Sequence, residues 1–170
     1  QVLDVLQVVR DLALRRQELL QKEVDHRVKN SLASVAGLVR LQMTRAGDPA
    51  VRSVLESMEQ RVRTISLLHE ELYRTGGETA DLATYLNQIR SMMQDGAPPN
   101  IAIAVDADPI LASSADASAI GKIVSEFAMN SVKYAFPDGQ AGTVSIALRG
   151  AGDSLTLVCR DDGVGAGEIT

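Results

Sequence analysis

No proline, and no glycine before Gly37, interrupts the first 46 residues of this chain, and a helical pattern runs nearly unbroken through them. At a rise of 1.5 Å per residue, a helix of about 45 residues is about 65 Å long, more than a small globule can wrap. A helix of that length needs a neighbour to cover its apolar side. Val2, Leu6, Val9, Ala13 and Leu20 approximate a heptad seam, with Arg16 intruding, so residues 1–18 read as a coiled-coil lead-in from an upstream module. Ala46-Gly47-Asp48-Pro49 breaks the pattern. Gly47 suits a C-terminal cap, Asp48 can cap a second helix, and Pro49 fits its first position. That second helix is predicted from about Pro49 to Thr75, with Val51, Leu55, Met58, Val62, Ile65, His69 and Leu72 on one stripe. Two helices joined by a short turn make an antiparallel hairpin, and two hairpins in a dimer make a four-helix bundle.

The part of the first helix that carries chemistry is Glu23 to Gln42, EVDHRVKNSLASVAGLVRLQ. At about 100° per residue, Val24, Val28, Leu32, Val35 and Val39 fall on one stripe and His26 points almost opposite. Asn30, Ala33 and Gly37 share the side of His26, so a polar residue sits one turn away and small ones keep the surface beyond it low. This suits a histidine that a large body must reach. An ordinary surface histidine would look the same in isolation. His69, at the centre of its own apolar stripe, reads as a structural histidine.

Composition removes several classes of function. The chain has 170 residues, 45% of them apolar, and a net charge of −5. No run of about 18 apolar residues is present, so no membrane contact is expected in this segment. Without a basic block, and with aromatics at 3%, neither phosphate-backbone binding nor base stacking is supported, so no nucleic acid is expected. The single cysteine, Cys159, excludes an internal disulfide and fits a reducing, cytoplasmic compartment. Gln1 is not an initiator methionine, which leads us to expect an upstream sensor outside this chain.

Gly76-Gly77 marks a stop and a hinge. Beyond it, Asp81 can cap a third helix reaching about Gln94, with Leu82, Tyr85, Leu86 and Ile89 on one face. Ile101 to Val105 reads as a strand, Asp106 to Pro109 as a turn, and Asp116 to Ala135 as a helix. Thr143 to Leu148 and Ser154 to Cys159 read as a β-hairpin joined through residues 150–153. The pattern is α+β, with helices layered on an antiparallel or mixed sheet.

Two further clusters stand out here. Glu126, Asn130 and Lys133 fall within about 60° on the helix from Asp116. A carboxylate and an amide offer hard oxygen donors for Mg²⁺, and an ammonium suits phosphate. A solvated helix face would show the same residues. Asp161-Asp162-Gly163-Val164-Gly165-Ala166-Gly167 follows a strand. Its alternating glycines would let backbone approach a ligand, and Asp161 could accept a hydrogen bond from an amino group such as that of adenine. A simple turn fits it too. It is neither a Walker loop nor a Rossmann fingerprint, since no Gly-Lys-Ser/Thr and no following helix is seen.

Taken in order, DHRVKN on a hairpin helix, EFAMNSVKYAFPDGQAG on a later helix and DDGVGAG after a strand form a specific set. The chain resembles sensor histidine kinases of two-component systems, most closely the subgroup with HRxKN at the phosphoacceptor and an N-box ending in K-x-A-F-P, a relative of the HWE kinases. LHEELYRT, residues 68–75, matches as well, and the likeness covers about residues 19–170. It implies a dimerisation and phosphotransfer hairpin over 19–76 and a Bergerat-type ATP-binding sandwich over 77–170. His26 then matches the phosphoacceptor and Asn130 the N-box ligand of Mg²⁺, with Glu126 and Lys133 as its polar companions. Asp161 matches the reader of adenine, and Gly163 and Gly165 the glycines beside the nucleotide. Asn30 would contact the transferred phosphoryl group or position a water. The implied substrate is ATP with Mg²⁺, and the implied partners are a second copy and the receiver domain of a response regulator.

The sequence departs from the pattern at two places. HWE kinases carry a histidine where this chain has Ser125, and Ser31 replaces the second of a usual pair of asparagines. The ATP lid, the second glycine box and a closing strand are expected beyond Thr170, leaving the sandwich C-terminally incomplete. Two rival readings keep the same architecture. One is a histidine phosphotransfer protein with a degenerate ATP-binding domain, and the other a purely structural dimerisation module.

Overall fold

The computed structural model describes residues 2–152 and 154–165, without the side chains of residues 2–15, 17–19, 21 and 25. The expected heptad seam at Val2, Leu6, Val9 and Ala13, any part played by the Asp25 carboxylate, and the end of the glycine run at Gly167 lie outside the described residues. Helix α1 spans Val2–Arg45 and α2 spans Pro49–Arg74. The break between them is local chemistry. The Asp48 side chain accepts from the Ala50 amide, and Pro49 fills the first helical position, where no amide hydrogen is needed. The helices lie antiparallel, held in register by Lys29 on Glu70 at 3.3 Å and Arg40 on Glu59 at 2.5 Å. Among the described residues, no helix is long and apolar enough to cross a membrane.

Both helices keep apolar residues that this single chain does not cover. On α1, Val28, Leu32 and Val39 are half-buried, but Val24, Val35, Leu38 and Leu41 are exposed. On α2, Leu55, Val62, His69 and Leu72 are half-buried, whereas Val51, Val54, Met58 and Ile65 are exposed. The fully buried residues of α2 are instead Thr64, Leu68 and Glu71. They belong to a second face, turned about 100° from the predicted stripe and packed on the α/β part of the chain.

That part begins after Gly76 and Gly77, whose φ angles of +94° and +99° are conformations that favour glycine. The Gly77 amide closes α2 on the Leu72 carbonyl at 2.7 Å. Then come β1 (Thr79–Asp81), α3 (Leu82–Gly96), β2 (Ile101–Ala107), β3 (Leu111–Ser113) and α4 (Ser114–Asn130). A π-helical turn (Ser131–Ala135) and a short 3₁₀ turn (Pro137–Gly139) lead to β4 (Gly142–Ala151) and β5 (Ser154–Asp161). Strand β2 pairs parallel to β4, and β4 antiparallel to β5, so the main sheet is mixed. Strands β1 and β3 form a separate antiparallel ribbon that the hydrophobic pattern does not announce.

Three sequence boundaries need correction. The helix expected from Asp116 starts at Ser114, because the Ser113 side chain caps it through the Asp116 amide. It stops being an α-helix at Ser131 rather than running to Ala135. The turn expected at Asp106 begins later, since β2 continues to Ala107 and Asp106 pairs with Arg149 of the neighbouring strand.

The core lies between the main sheet and the helices. Ile101 and Ile103 of β2 and Val144, Ile146 and Leu148 of β4 meet Leu82, Leu86 and Ile89 of α3 and Val124 and Ala128 of α4. Full burial of each Leu or Ile contributes about 1.5–3 kcal/mol. Tyr85 threads between α2 and α4. Its hydroxyl donates to the Thr64 carbonyl at 3.3 Å, and burial pushes its phenol well above the usual range. Gly121 makes the room, since a side chain there would overlap the Tyr85 hydroxyl.

Candidate nucleotide and phosphoacceptor site

His26 is exposed on α1, on the wet side that the periodicity predicts. Asn30, Ala33 and Gly37 are exposed with it, while Val28 and Leu32 turn inward. The two basic residues inside the HRVKN block are both paired. Arg27 pairs with Glu23 at 2.6 Å, and Lys29 reaches Glu70 across the hairpin. A regular helix with small residues beyond the ring gives the imidazole an open approach.

The other site residues gather where α4 ends. Glu126 and Asn130 are one turn apart near the C-terminus of α4, and Asn130, its last residue, is exposed. Lys133 follows inside the π turn, whose wider coil re-aims it relative to a continuous α-helix. Asp161 closes β5, and its carboxylate is held at two points. Oδ2 accepts from the Ser131 hydroxyl at 2.9 Å, and Oδ1 from the Gly163 amide at 3.2 Å. Gly163 presses on the π turn, because a Cβ there would overlap the Ala135 carbonyl oxygen. The Val164 amide donates to that same oxygen at 2.9 Å, and Gly165 has φ +74°. Asp162 turns back to β4 and accepts from the Thr143 amide at 2.6 Å. Asn130, Lys133, Asp161 and Gly163 therefore gather at one turn of helix, with Gly165 two residues further on.

Sequence reasoning passed over four residues that complete this arrangement. Ser131 and Asp162 hold Asp161 and the glycine segment. Glu56 and Arg61 of α2 engage the charged side chains Lys133 and Glu126. Lys133 donates to Glu56 Oε2 at 2.6 Å, and Arg61 donates to Glu126 Oε1 at 2.7 Å. No spacing rule within one sequence links residue 56 to 133 or 61 to 126.

The two halves of the site are apart. Lys29, three residues past His26, pairs with Glu70, whereas Lys133 pairs with Glu56, fourteen residues back along α2. At 1.5 Å per residue these levels differ by about 20 Å along the helix axis. The connection between hairpin and sheet is also clamped. Glu71, fully buried, accepts from Arg74 at 2.7 and 3.0 Å and from the Asp81 amide at 3.1 Å, across Gly76-Gly77. That hydrogen bond raises the Arg74 guanidinium above its ordinary pKa.

The donor set at the end of α4 fits a magnesium nucleotide. The Asn130 amide oxygen and the Glu126 carboxylate are hard oxygen donors on one helix strip, beside an ammonium and a close-packed glycine segment.

Comparison with known proteins bears on the family and the fold. A family model described as histidine kinase matches residues 23–96. The sensor histidine kinase PdtaS of Mycobacterium tuberculosis is 32% identical over 166 residues, covering 95% of this chain and 33% of that protein. Blue-light-activated histidine kinase 2 of Erythrobacter litoralis is 34% identical over 154 residues, covering 86% of this chain and 44% of that protein. The chain thus spans between a third and a half of the length of these curated relatives. Among solved structures, the histidine kinase domain of the Erythrobacter litoralis EL346 blue-light activated histidine kinase superposes with a TM-score of 0.63 at 33% identity. That match covers 87% of this chain and 70% of the other.

Proposed function

The chain belongs to the histidine kinases of two-component sensors, and from that premise we propose that it is the core of a kinase that phosphorylates His26 from ATP and hands the phosphoryl group to a response regulator. The observation that carries the reading is the assembly of Asn130, Lys133, Asp161 and Gly163 around one π turn, on a chain whose hairpin bears an exposed His26.

The Nε2 or Nδ1 lone pair of a neutral His26 imidazole attacks the γ-phosphorus. A P–N bond forms, the bond to the bridging oxygen breaks, and ADP leaves with that electron pair. An aspartate carboxylate of the receiver domain then displaces the imidazole. Phosphoryl transfer of this kind needs positioning and charge stabilisation more than covalent help from the protein. Asn130 and Glu126 would hold Mg²⁺, which neutralises phosphate charge when bound. Lys133 would pair with phosphate oxygens, Asp161 with the adenine amino group, and Gly163 and Gly165 would let backbone approach the nucleotide. Asn30 would touch the phosphoryl group as it arrives at His26.

The reaction requires the two levels on α2 to meet, either by movement about Gly76-Gly77 or on the hairpin of a second copy. Val51, Val54, Met58 and Ile65 of α2, with Val35 and Leu38 of α1, offer the apolar surface for a dimeric four-helix bundle.

The deciding experiment is incubation with γ-labelled ATP and Mg²⁺, wild type beside His26→Ala, scoring acid-labile phosphate. Label on wild type alone supports the kinase and its acceptor together. Label on neither protein, with no nucleotide bound, points to a phosphotransfer protein, and uptake of phosphate from a phosphorylated receiver domain is then the assay to run.

A further inference from the structure

We propose that Ser131 is a positioning residue for nucleotide specificity, acting through Asp161; the proposal rests on the kinase reading above. Three links join the π turn to the segment after β5. Two are backbone matters, the contact of Gly163 with Ala135 and the Val164 amide on the Ala135 carbonyl. The third is the Ser131 hydroxyl, which donates to Asp161 Oδ2 at 2.9 Å.

Ser131 is 4% exposed and is the first residue of the π turn. A hydrogen bond from so buried a residue competes less with water than one on an open surface. The Asp161 carboxylate is held by Ser131 on one oxygen and by the Gly163 amide on the other. Two donors on two oxygens fix rotation about the Cβ–Cγ bond. Without Ser131 a single amide remains, and the plane of the carboxylate is free to turn.

An ionised carboxylate is an acceptor only, with about four lone-pair directions. With two of these occupied, those that remain point in set directions. A purine bearing a 6-amino group can donate to such an acceptor. A purine bearing a 6-oxo group presents an acceptor against an acceptor and leaves the carboxylate unsatisfied. A site built around one hydrogen bond rejects the analogue lacking it far more strongly than an apolar pocket does. That discrimination depends on the acceptor being held in place, which is the work assigned to Ser131.

The test measures binding of ATP and of inosine triphosphate to the full-length protein by calorimetry at fixed Mg²⁺. Wild type, Ser131→Ala and Asp161→Asn are compared. Wild type is expected to prefer ATP. Ser131→Ala should weaken ATP about five- to tenfold, the equivalent of one hydrogen bond, and leave inosine triphosphate within about twofold, so that the preference shrinks. Ser131→Cys, of similar volume and with a weak donor, stands in if the alanine variant unfolds and should shrink the preference likewise. Equal weakening of both nucleotides, or an unchanged preference in the Ser131 variants while Asp161→Asn abolishes it, overturns the proposal and leaves the kinase reading intact. A wild type that binds both bases equally, or a preference that survives Asp161→Asn, removes Asp161 as the reader of adenine and the proposal with it.

Discussion

Lys133 Nζ lies 2.6 Å from Glu56 Oε2, so an ammonium assigned to phosphate is occupied by a carboxylate of the hairpin. Arg61 of the same helix holds Glu126 in the same way. In this arrangement α2 engages two of the proposed nucleotide residues, Lys133 and Glu126, and a phosphate would have to displace Glu56 to reach Lys133. Both pairs are partly exposed, so each contributes about 0.2–1 kcal/mol. Glu56→Gln is expected to raise affinity for a magnesium nucleotide by up to about fivefold, the ratio that the upper end of such an energy implies. The gain should fade above about 0.5 M salt, where the pair is screened in wild type as well. Equilibrium titration with a fluorescent ATP analogue measures it. Unchanged or weaker affinity at low salt would mean that the Glu56 contact does not compete with nucleotide.

Substitution of Asn130 tests the proposed metal function apart from the fold. It ends α4 with its side chain exposed, so its removal empties no cavity. Asn130→Ala should leave the denaturation midpoint unmoved, since surface substitutions away from special features change stability by no more than about 0.5 kcal/mol. ATP-dependent labelling of His26 is expected to vanish, together with the Mg²⁺ dependence of nucleotide binding. Labelling at the wild-type level would refute its role as metal ligand.

Glu71 controls the joint between hairpin and sheet. Its carboxylate is fully buried, and it accepts from the Asp81 amide across two glycines of positive φ. Removing it leaves that amide without its acceptor. Glu71→Ala is expected to cost about 2–4 kcal/mol, the loss of hydrogen bonds to a buried charged group. Urea titration reads the cost. Limited proteolysis should cut near Gly76-Gly77 faster than in wild type. A variant as stable and as resistant as wild type would show that the clamp does not hold the joint.

What the sequence reveals here is what local chemistry decides. Asp48 with Pro49, and Asp81 before Leu82, announce helix starts because a cap is satisfied within three residues. The wet side of α1 with His26 follows from its period alone. The features that escape detection are closed by distant partners. The apolar period runs smoothly through Ser131, and the π turn is seated by Asp161 and Val164, about 30 residues away. Strands β1 and β3 have three residues each, too few to show an alternation. The second face of α2 contains Thr64 and Glu71, and a charged residue reads as solvent-facing until Arg74 and the Asp81 amide are seen to satisfy it. The candidate nucleotide residues were recognisable by motif, but their engagement by Glu56 and Arg61 was not.

The two glycines after β5 answer to different constraints, and substitution separates them. At Gly163 a Cβ would overlap the Ala135 carbonyl oxygen and come within 2.8 Å of its carbonyl carbon. Backbone in a seated helical turn cannot give way as a flexible side chain can. Gly163→Ala should therefore push the segment off the π turn, at about 1–3 kcal/mol of overpacking. It should also weaken the Val164 amide contact with Ala135 and the hold on Asp161. At Gly165 no described atom lies within 4 Å of the Cβ position, and the obstacle is its φ of +74°. Gly165→Ala should cost about 1–2 kcal/mol of local backbone strain and leave Asp161 where it is. Nucleotide titration beside urea denaturation distinguishes the two. Gly163→Ala is expected to lose preference for ATP over inosine triphosphate, because Asp161 loses its Gly163 donor geometry, while Gly165→Ala keeps that preference even where its overall affinity falls. Equal base preference in both variants would show that contact with the π turn does not set the position of Asp161.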